Sequence, residues 1–267
     1  LEFRRVLFRS LIYYAHPKPP SSLSWPIRLA WRLYHLSYFP QRVALNRADA
    51  VVTVSETTKM LMLKHRLTKR DIQVVYNAAG NLSEQYEHKL PASRPRQHQD
   101  LVYMGSFMDY KNVECLVDAM AYLPDYRLHL LSAVSPDRRS ALEARLQNGG
   151  GEVIFHNGVS EAKYHSVLDT SVALVSASRD EGFGIPLVEA MARGIPVVIS
   201  DIEIFQEIAS SAGNYFDPGD PRELAEVIRS LESASFWLEK SKRGFERAKL
   251  FSWNESAKSL LGFLDRL

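Results

Sequence analysis

The sequence predicts an α/β protein whose parallel sheets are covered by helices, and three observations carry that reading. Short β-branched runs alternate with amphipathic stretches, the order that builds β-α-β units. The runs read as buried strands, as expected where helices cover both faces of a sheet. The alternation stops once, over residues 78–99 ("AAGNLSEQYEHKLPASRPRQHQ"), which are polar, contain two prolines and show no period. Such a pause is expected in a linker between two α/β units. With 267 residues, 46% of them hydrophobic, the chain can bury one large core or two modest ones.

Taken in order, residues 1–10 ("LEFRRVLFRS") have neither an apolar core nor a small-residue cleavage site of the secretory kind, and read as a fragment edge or a non-native segment. The runs "LIYYA" (11–15), "AVVTV" (50–54) and "IQVVY" (72–76) are expected strands, with helices near 25–47 and 56–66. Together, 11–85 form the first unit and 86–99 the linker. The second unit, 100–250, restarts with strands at 100–105, 126–132, 152–156, 171–177 and 196–200. Helices are expected from Lys111 and over 136–147, 161–168 and 186–193. Residues 251–267 are expected to form a C-terminal helix that packs back toward the first unit.

Composition narrows the function classes. A single cysteine, Cys115, excludes an internal disulfide and a cysteine-based zinc site, so a reducing, cytoplasmic compartment is expected. No apolar run approaches the ~18 residues of a membrane span. Residues 1–70 carry thirteen Lys and Arg against three acids, an excess of +10 in a chain of net charge +2. That asymmetry fits either a solvated basic face or one that meets a polyanion such as anionic lipid. The stretch "SWPIRLAWRLYHLSYFPQR" mixes Trp25, Trp31, Tyr34 and Tyr38 with Arg28, Arg32 and Arg42. This is the composition of a helix that lies on an anionic membrane, the alternative being an ordinary helix packed in the first unit.

The segment 178–194, "SRDEGFGIPLVEAMARG", concentrates the chemistry. It reads as a strand-to-helix loop followed by a helix, with Pro186 in the first turn and Gly194 at the stop. Free N–H groups around Gly182 to Gly184, with the helix dipole, favour an anion such as a diphosphate. Glu181 and Glu189 repel that anion and need donors instead, which sugar hydroxyls supply. Taken alone, Glu189 is explained equally well by the helix dipole, and Phe183 is better explained as a packing residue.

The segment "EGFGIPLVEAMARGIPVVISD" resembles the E-x7-E region of the retaining family 4 glycosyltransferases (glycosyl transferases group 1), whose fold is GT-B, two Rossmann-like domains with parallel sheets, and the resemblance implies that the first domain is incomplete here. The resemblance extends through "ADAVVTVSETTKMLM", "VVYNAAG", "YMGSFMDYKNVECLVDAM", "VIFHNGVSEAKYHSVL" and "YFDPGDPRELAEVIRSL". It implies transfer of a sugar, with retention, from a nucleoside-diphosphate sugar to an acceptor hydroxyl on a glycan, a lipid-linked carrier or a small molecule. Under it, Glu181 holds the donor sugar, Glu189 reaches the ribose, and Gly182, Phe183, Gly184 and Ile185 line sugar and diphosphate. Lys111 clamps the diphosphate with Gly105 beside it. The arginine usual in the family after that glycine is Ser106 here, which leaves Arg179 as one substitute. Gly158 and Val159 correspond to the nucleobase loop, and His16 ("YYAHPKPP") faces the acceptor side. Glu181, Lys111 and His16 are thus the expected catalytic residues. No metal, cofactor or nucleic-acid partner is expected; "DIE" at 201–203 reads as a helix cap rather than a metal motif. A nucleotide-sugar epimerase and a non-catalytic nucleotide-sugar-binding fragment are the alternatives.

Overall fold

The structure, a computed structural model, describes residues 5–19, 23–79, 90–91, 93–94 and 99–266. Most of the expected linker lies outside the described residues. Two parallel sheets organise the chain. The first has the order β1-β2-β3, with β1 Arg5–Phe8, β2 Ala50–Thr53 and β3 Ile72–Val74. Val51 lies between Val6 and Ile72 in register. Between these strands run α1 (Ile12–Ala15), α2 (Trp25–Tyr34), α3 (Phe39–Arg47) and α4 (Glu56–Lys64).

Two expectations are corrected here. Residues 11–15 form a helical turn, not a strand, and the outer strand of the first sheet is Arg5–Phe8. Tyr13 and Tyr14 both pack on His35, at 6.1 and 5.1 Å between ring centroids. Adjacent residues of a strand point to opposite faces and could not share one partner in this way. The expected helix over 25–47 is two helices, each carrying a proline in its first turn, Pro26 and Pro40.

The second sheet has the order β6-β5-β4-β7-β8-β9. Its strands are β4 Gln99–Tyr103, β5 Tyr126–Leu130, β6 Glu152–Phe155, β7 Ala173–Ser176, β8 Val197–Ser200 and β9 Gly213–Phe216. Helices α5 (Val113–Ala119), α6 (Pro136–Glu143) and α10 (Pro221–Ser230) contribute to the core on one face, where Leu116, Leu142 and Ile228 are buried. On the other lie α7 (Glu161–Asp169), α8 (Ile185–Ala192) and α9 (Glu203–Ala209), with Leu168, Leu187 and Phe205. The expected cap at Asp201 is not formed: Ile202 occupies the cap position of α9, and Asp201 accepts from the Gln206 amide.

Helix α11 (Ala234–Ala248) closes the second sheet through Trp237, fully buried, whose Nε1 donates to Val172 O at 2.8 Å. Helix α12 (Trp253–Leu264) then returns to the first sheet. Ser256 Oγ donates to Tyr76 O at 2.6 Å, Gln73 Nε2 donates to Ser259 Oγ at 3.1 Å, and Phe263 packs with Ala50 and Val52. A second link comes from α9: the Glu207 carboxylate accepts from the Glu56 and Thr57 amides, each at 2.7 Å, at the N-terminus of α4.

One polar cluster is built into the second sheet. Asp100 accepts two bonds from Arg127, at 2.7 and 2.8 Å, and lies 3.3 Å from His129, whose Nδ1 is 2.9 Å from His156 Nε2. Burial first, then His129, lowers the His156 pKa below its ordinary 6.5. A histidine depressed in the folded state is neutral there while the unfolded chain takes up a proton, so its contribution to stability is complete above that ordinary value and is lost as pH falls below it. Thermal melts from about pH 8 to about pH 5 are expected to show this loss, and His156→Gln to flatten that part of the profile. An unchanged profile in the variant would contradict the assignment.

Candidate functional site

In the second sheet β4 and β7 are neighbours, while the chain proceeds from β4 outward to β5 and from β7 outward to β8. The loops leaving β4 and β7 therefore diverge, opening a crevice at the carboxyl ends of these two strands. A cavity of about 330 Å³ occupies that position. Gly105 and Lys111 line it from the β4 loop, and Glu181 to Ile185 from the β7 loop. Val54 and Asn77 reach it from the first sheet.

The β7 loop ends on Gly184, whose φ of +95° is the left-handed conformation that glycine adopts at least cost. No side chain caps α8 there, and Pro186 follows in the first turn. At Gly182 a Cβ would lie 2.9 Å from Arg9 O, and its carbonyl accepts from Ser55 Oγ at 3.2 Å, so the first unit approaches this loop closely. Phe183 is buried, with its ring 6.1 Å from Tyr76 and 5.7 Å from Phe251.

Lys111 ends a short 3-10 turn, Asp109–Lys111. Asn112, in the left-handed region at φ +52°, fixes that turn: its amide donates to Ala177 O at 3.0 Å and to Pro218 O at 2.7 Å. The turn is thereby tied to the β7 loop, and Lys111 Nζ meets Glu181 Oε1. Ser178 Oγ donates to the same oxygen at 3.0 Å. Both side chains are largely buried, at 16% and 13% exposure, so each charge neutralises the other inside the crevice.

The remaining expected residues divide. His16 lines a neighbouring cavity rather than the crevice: its Nε2 lies 3.5 Å from Asp180 Oδ2, one residue before Glu181, and its ring stacks on Tyr110 at 5.4 Å. Burial pushes the Asp180 pKa up, with His16 opposing. Ser106 lines a neighbouring cavity, while its carbonyl accepts from Tyr103 Oη at 2.6 Å. Arg179 is exposed and outside the lining of both cavities, its amide donating to Tyr110 O at 2.8 Å. Glu189 sits in the second turn of α8, outside that lining, and accepts from Tyr164 Oη at 2.8 Å. Burial first, then Glu189, raises the Tyr164 pKa strongly. Gly158 (φ +97°) and Val159 lie in the loop after β6 that leads into α7, the helix carrying Tyr164. Asn112, Asp180, Tyr110 and Tyr164 were not singled out by sequence reasoning. Only Asn112 carries a local signal, a left-handed-tolerant residue directly before a helix.

Comparison with known proteins identifies the family and the fold. The family model described as glycosyl transferases group 1 matches residues 84–250. The O-antigen chain mannosyltransferase RfbU of Salmonella typhimurium is 27% identical over 200 residues, 73% of this chain and 54% of that protein. The lipopolysaccharide 1,6-galactosyltransferase of Escherichia coli K12 is 22% identical over 244 residues, 87% and 66% of the two chains. The chain spans about half the length of the first curated relatives it matches, 54% and 42%. Among solved structures, a sucrose-phosphate synthase from Thermosynechococcus elongatus superposes with a TM-score of 0.73 at 25% identity, over 98% of this chain and 67% of that one. Anabaena Alr3699/HepE in complex with UDP and glucose gives 0.69 at 20% identity, over 88% and 69%. The fold is thus of the GT-B type, and because the family model covers well over half of its residues the chain belongs to the glycosyl transferases group 1 family.

Proposed function

We propose that the crevice holds a nucleoside-diphosphate hexose and that the protein transfers the hexosyl group, with retention, to a hydroxyl of a surface glycan or its lipid-linked precursor. The Lys111–Glu181 pair at the switch-point crevice carries this reading. An unliganded donor site needs a cation for phosphate and a carboxylate for hydroxyls, and these two satisfy one another until a ligand offers both partners. On donor binding Lys111 turns to the diphosphate, the amides around Gly182 to Gly184 receive its oxygens, and Glu181 bonds sugar hydroxyls. In the transfer step the bond from the anomeric carbon to the diphosphate oxygen breaks, and a bond to the acceptor oxygen forms on the same face. The acceptor proton passes to the departing diphosphate, whose charge Lys111 stabilises. No metal or cofactor is assigned a part. The names of the relatives, mannosyl- and galactosyltransferases acting in O-antigen and lipopolysaccharide synthesis, support a hexosyl donor and a surface glycan.

Incubation with UDP- and GDP-hexoses and mixed glycan acceptors, followed by mass spectrometry, tests the proposal. Glycoside plus nucleoside diphosphate is the expected product. Free sugar without glycoside assigns the crevice to an epimerase, and nucleotide binding without turnover to a binding module.

The second element of the proposal is weak peripheral contact with an anionic membrane, with the protein on the cytoplasmic side. Among the described residues no helix is long and apolar enough to cross a membrane. Helix α2 buries none of its residues and exposes Trp25, Leu29 and Leu33, with Leu36 just beyond its end. At 100° per residue these four share one face, with Arg28 and Arg32 beside it. Trp31 instead turns inward, 4.7 Å from Tyr13. Sedimentation with anionic vesicles at low salt, lost at high ionic strength and absent with neutral vesicles, is expected. Equal binding to neutral vesicles, or none at low salt, would remove this element.

A further inference from the structure

Two polar pairs join helices α7 and α8. In their first two turns Tyr164 Oη donates to Glu189 Oε2 at 2.8 Å, and at their C-terminal ends Arg193 Nη1 donates to Asp169 Oδ1 at 2.7 Å. The second pair ties the helices without help from the first. What the first pair adds follows from where Glu189 stands.

Helix α8 buries Leu187, Val188, Ala190, Met191 and Ala192, and Glu189 is its one charged side chain. Glu189 is only partly buried and follows Ile185 by four residues, so the two share a stripe of the helix, and Ile185 lines the crevice. Tyr164 is 4% exposed, and burial keeps the proton on its phenol, so the hydroxyl is the donor of the pair. One carboxylate oxygen of Glu189 is thereby held. The other, Oε1, has no partner among the described residues, although an ionised carboxylate offers about four acceptor positions. In the proposed donor complex the hexose lies with Glu181, before the Gly182–Gly184 amides that receive the diphosphate. The other end of the diphosphate then runs past Ile185 toward Glu189, and in a nucleoside diphosphate that end carries ribose, whose 2′- and 3′-hydroxyls are donors.

We infer that Tyr164 is a positioning residue: it fixes Glu189 through Oε2 so that Oε1 receives a ribose hydroxyl, and it thereby makes the protein select ribonucleotides over deoxyribonucleotides. The inference rests on the glycosyl-transfer reading and deepens it. A free glutamate side chain loses rotamer freedom when it takes up a ligand, whereas one already held at an oxygen has lost that freedom beforehand. A tie that served only to pack α7 on α8 would behave differently, because its loss would weaken every nucleotide alike.

Isothermal titration of UDP and GDP against their 2′-deoxy and 3′-deoxy counterparts tests this in the unaltered chain, in Tyr164→Phe and in Glu189→Gln. The unaltered chain is expected to bind the ribonucleotide roughly tenfold more tightly than at least one deoxy form, the factor for a charged hydrogen bond. Tyr164→Phe keeps the ring in the core and should lower that ratio about fivefold, the factor for immobilising one side chain, with affinity for the deoxy form unchanged. Glu189→Gln, which keeps an oxygen for the Tyr164 hydroxyl, should lower the ratio as well. A ratio retained in either variant, or equal weakening of all nucleotides, overturns the inference. So does a chain that binds nucleotide without preferring the ribo form, which leaves the donor site standing. Absence of nucleotide binding overturns both readings.

Discussion

Lys111→Ala is expected to weaken binding of UDP or GDP by about 1.5–3 kcal/mol, the range for a charged hydrogen bond. Two effects add. The diphosphate loses its cation, and Glu181, only 13% exposed, is left as an unpaired carboxylate facing the phosphate oxygens. Glu181→Gln should do the opposite for nucleotide: with the competing carboxylate gone, Lys111 is free, and affinity holds or rises. Turnover should nevertheless collapse in Glu181→Gln, because the carboxylate proposed to accept sugar hydroxyls is lost. In the double variant part of the affinity lost in Lys111→Ala should return, since the repelling charge is also absent. Isothermal titration of the four proteins checks this; equal affinity in all four would contradict the role of the pair.

Glu207→Ala has the largest expected effect on stability. The carboxylate accepts two backbone amides and the Thr57 hydroxyl at the N-terminus of α4, where the helix dipole favours an anion. It is also, with the Ser55 Oγ to Gly182 O bond, a polar link from the second unit to the start of that helix. Charged hydrogen bonds of this kind put the loss at about 2–3 kcal/mol. The small core of the first unit, with Val51, Met62 and Leu67 at its centre, has little apolar burial to offset it. Hydrogen exchange in 11–76 is therefore expected to be faster than in 100–200 already in the unaltered chain. In the variant it should accelerate by roughly 30–150-fold over α4 and β2. Glu207→Gln, which keeps an acceptor, should lose less. Equal protection of both units, or no change in Glu207→Ala, would refute the link.

What the sequence discloses is what is local along it. The β-α-β order of 100–200 is legible because each strand is a short apolar run and each helix carries its own period. So is the Glu181–Gly184 segment, whose acid, glycines and proline are contiguous. Residues 11–15 are misread because paired tyrosines and branched residues suit a strand equally well, and only the shared partner of Tyr13 and Tyr14, the distant His35, decides for a helical turn. β9 escapes because it opens with glycine and asparagine and has no β-branched residue. The crevice needs crossovers to assemble. Asn112 locks Lys111 to a loop 65 residues away, Tyr164 meets Glu189 from another helix, and Arg138 joins the neighbouring cavity from a third. None of these pairings has a period or a motif.

The central claim is that a nucleoside-diphosphate sugar binds at the carboxyl ends of β4 and β7, and amide chemical-shift mapping with GDP and UDP tests it most directly. Perturbations are expected at 105–111 and 178–189, with smaller ones reaching 157–160, and they should vanish at equal ligand concentration in Lys111→Ala. Shifts concentrated instead on the groove between the first sheet and α12, or no shift with either nucleotide, would contradict it.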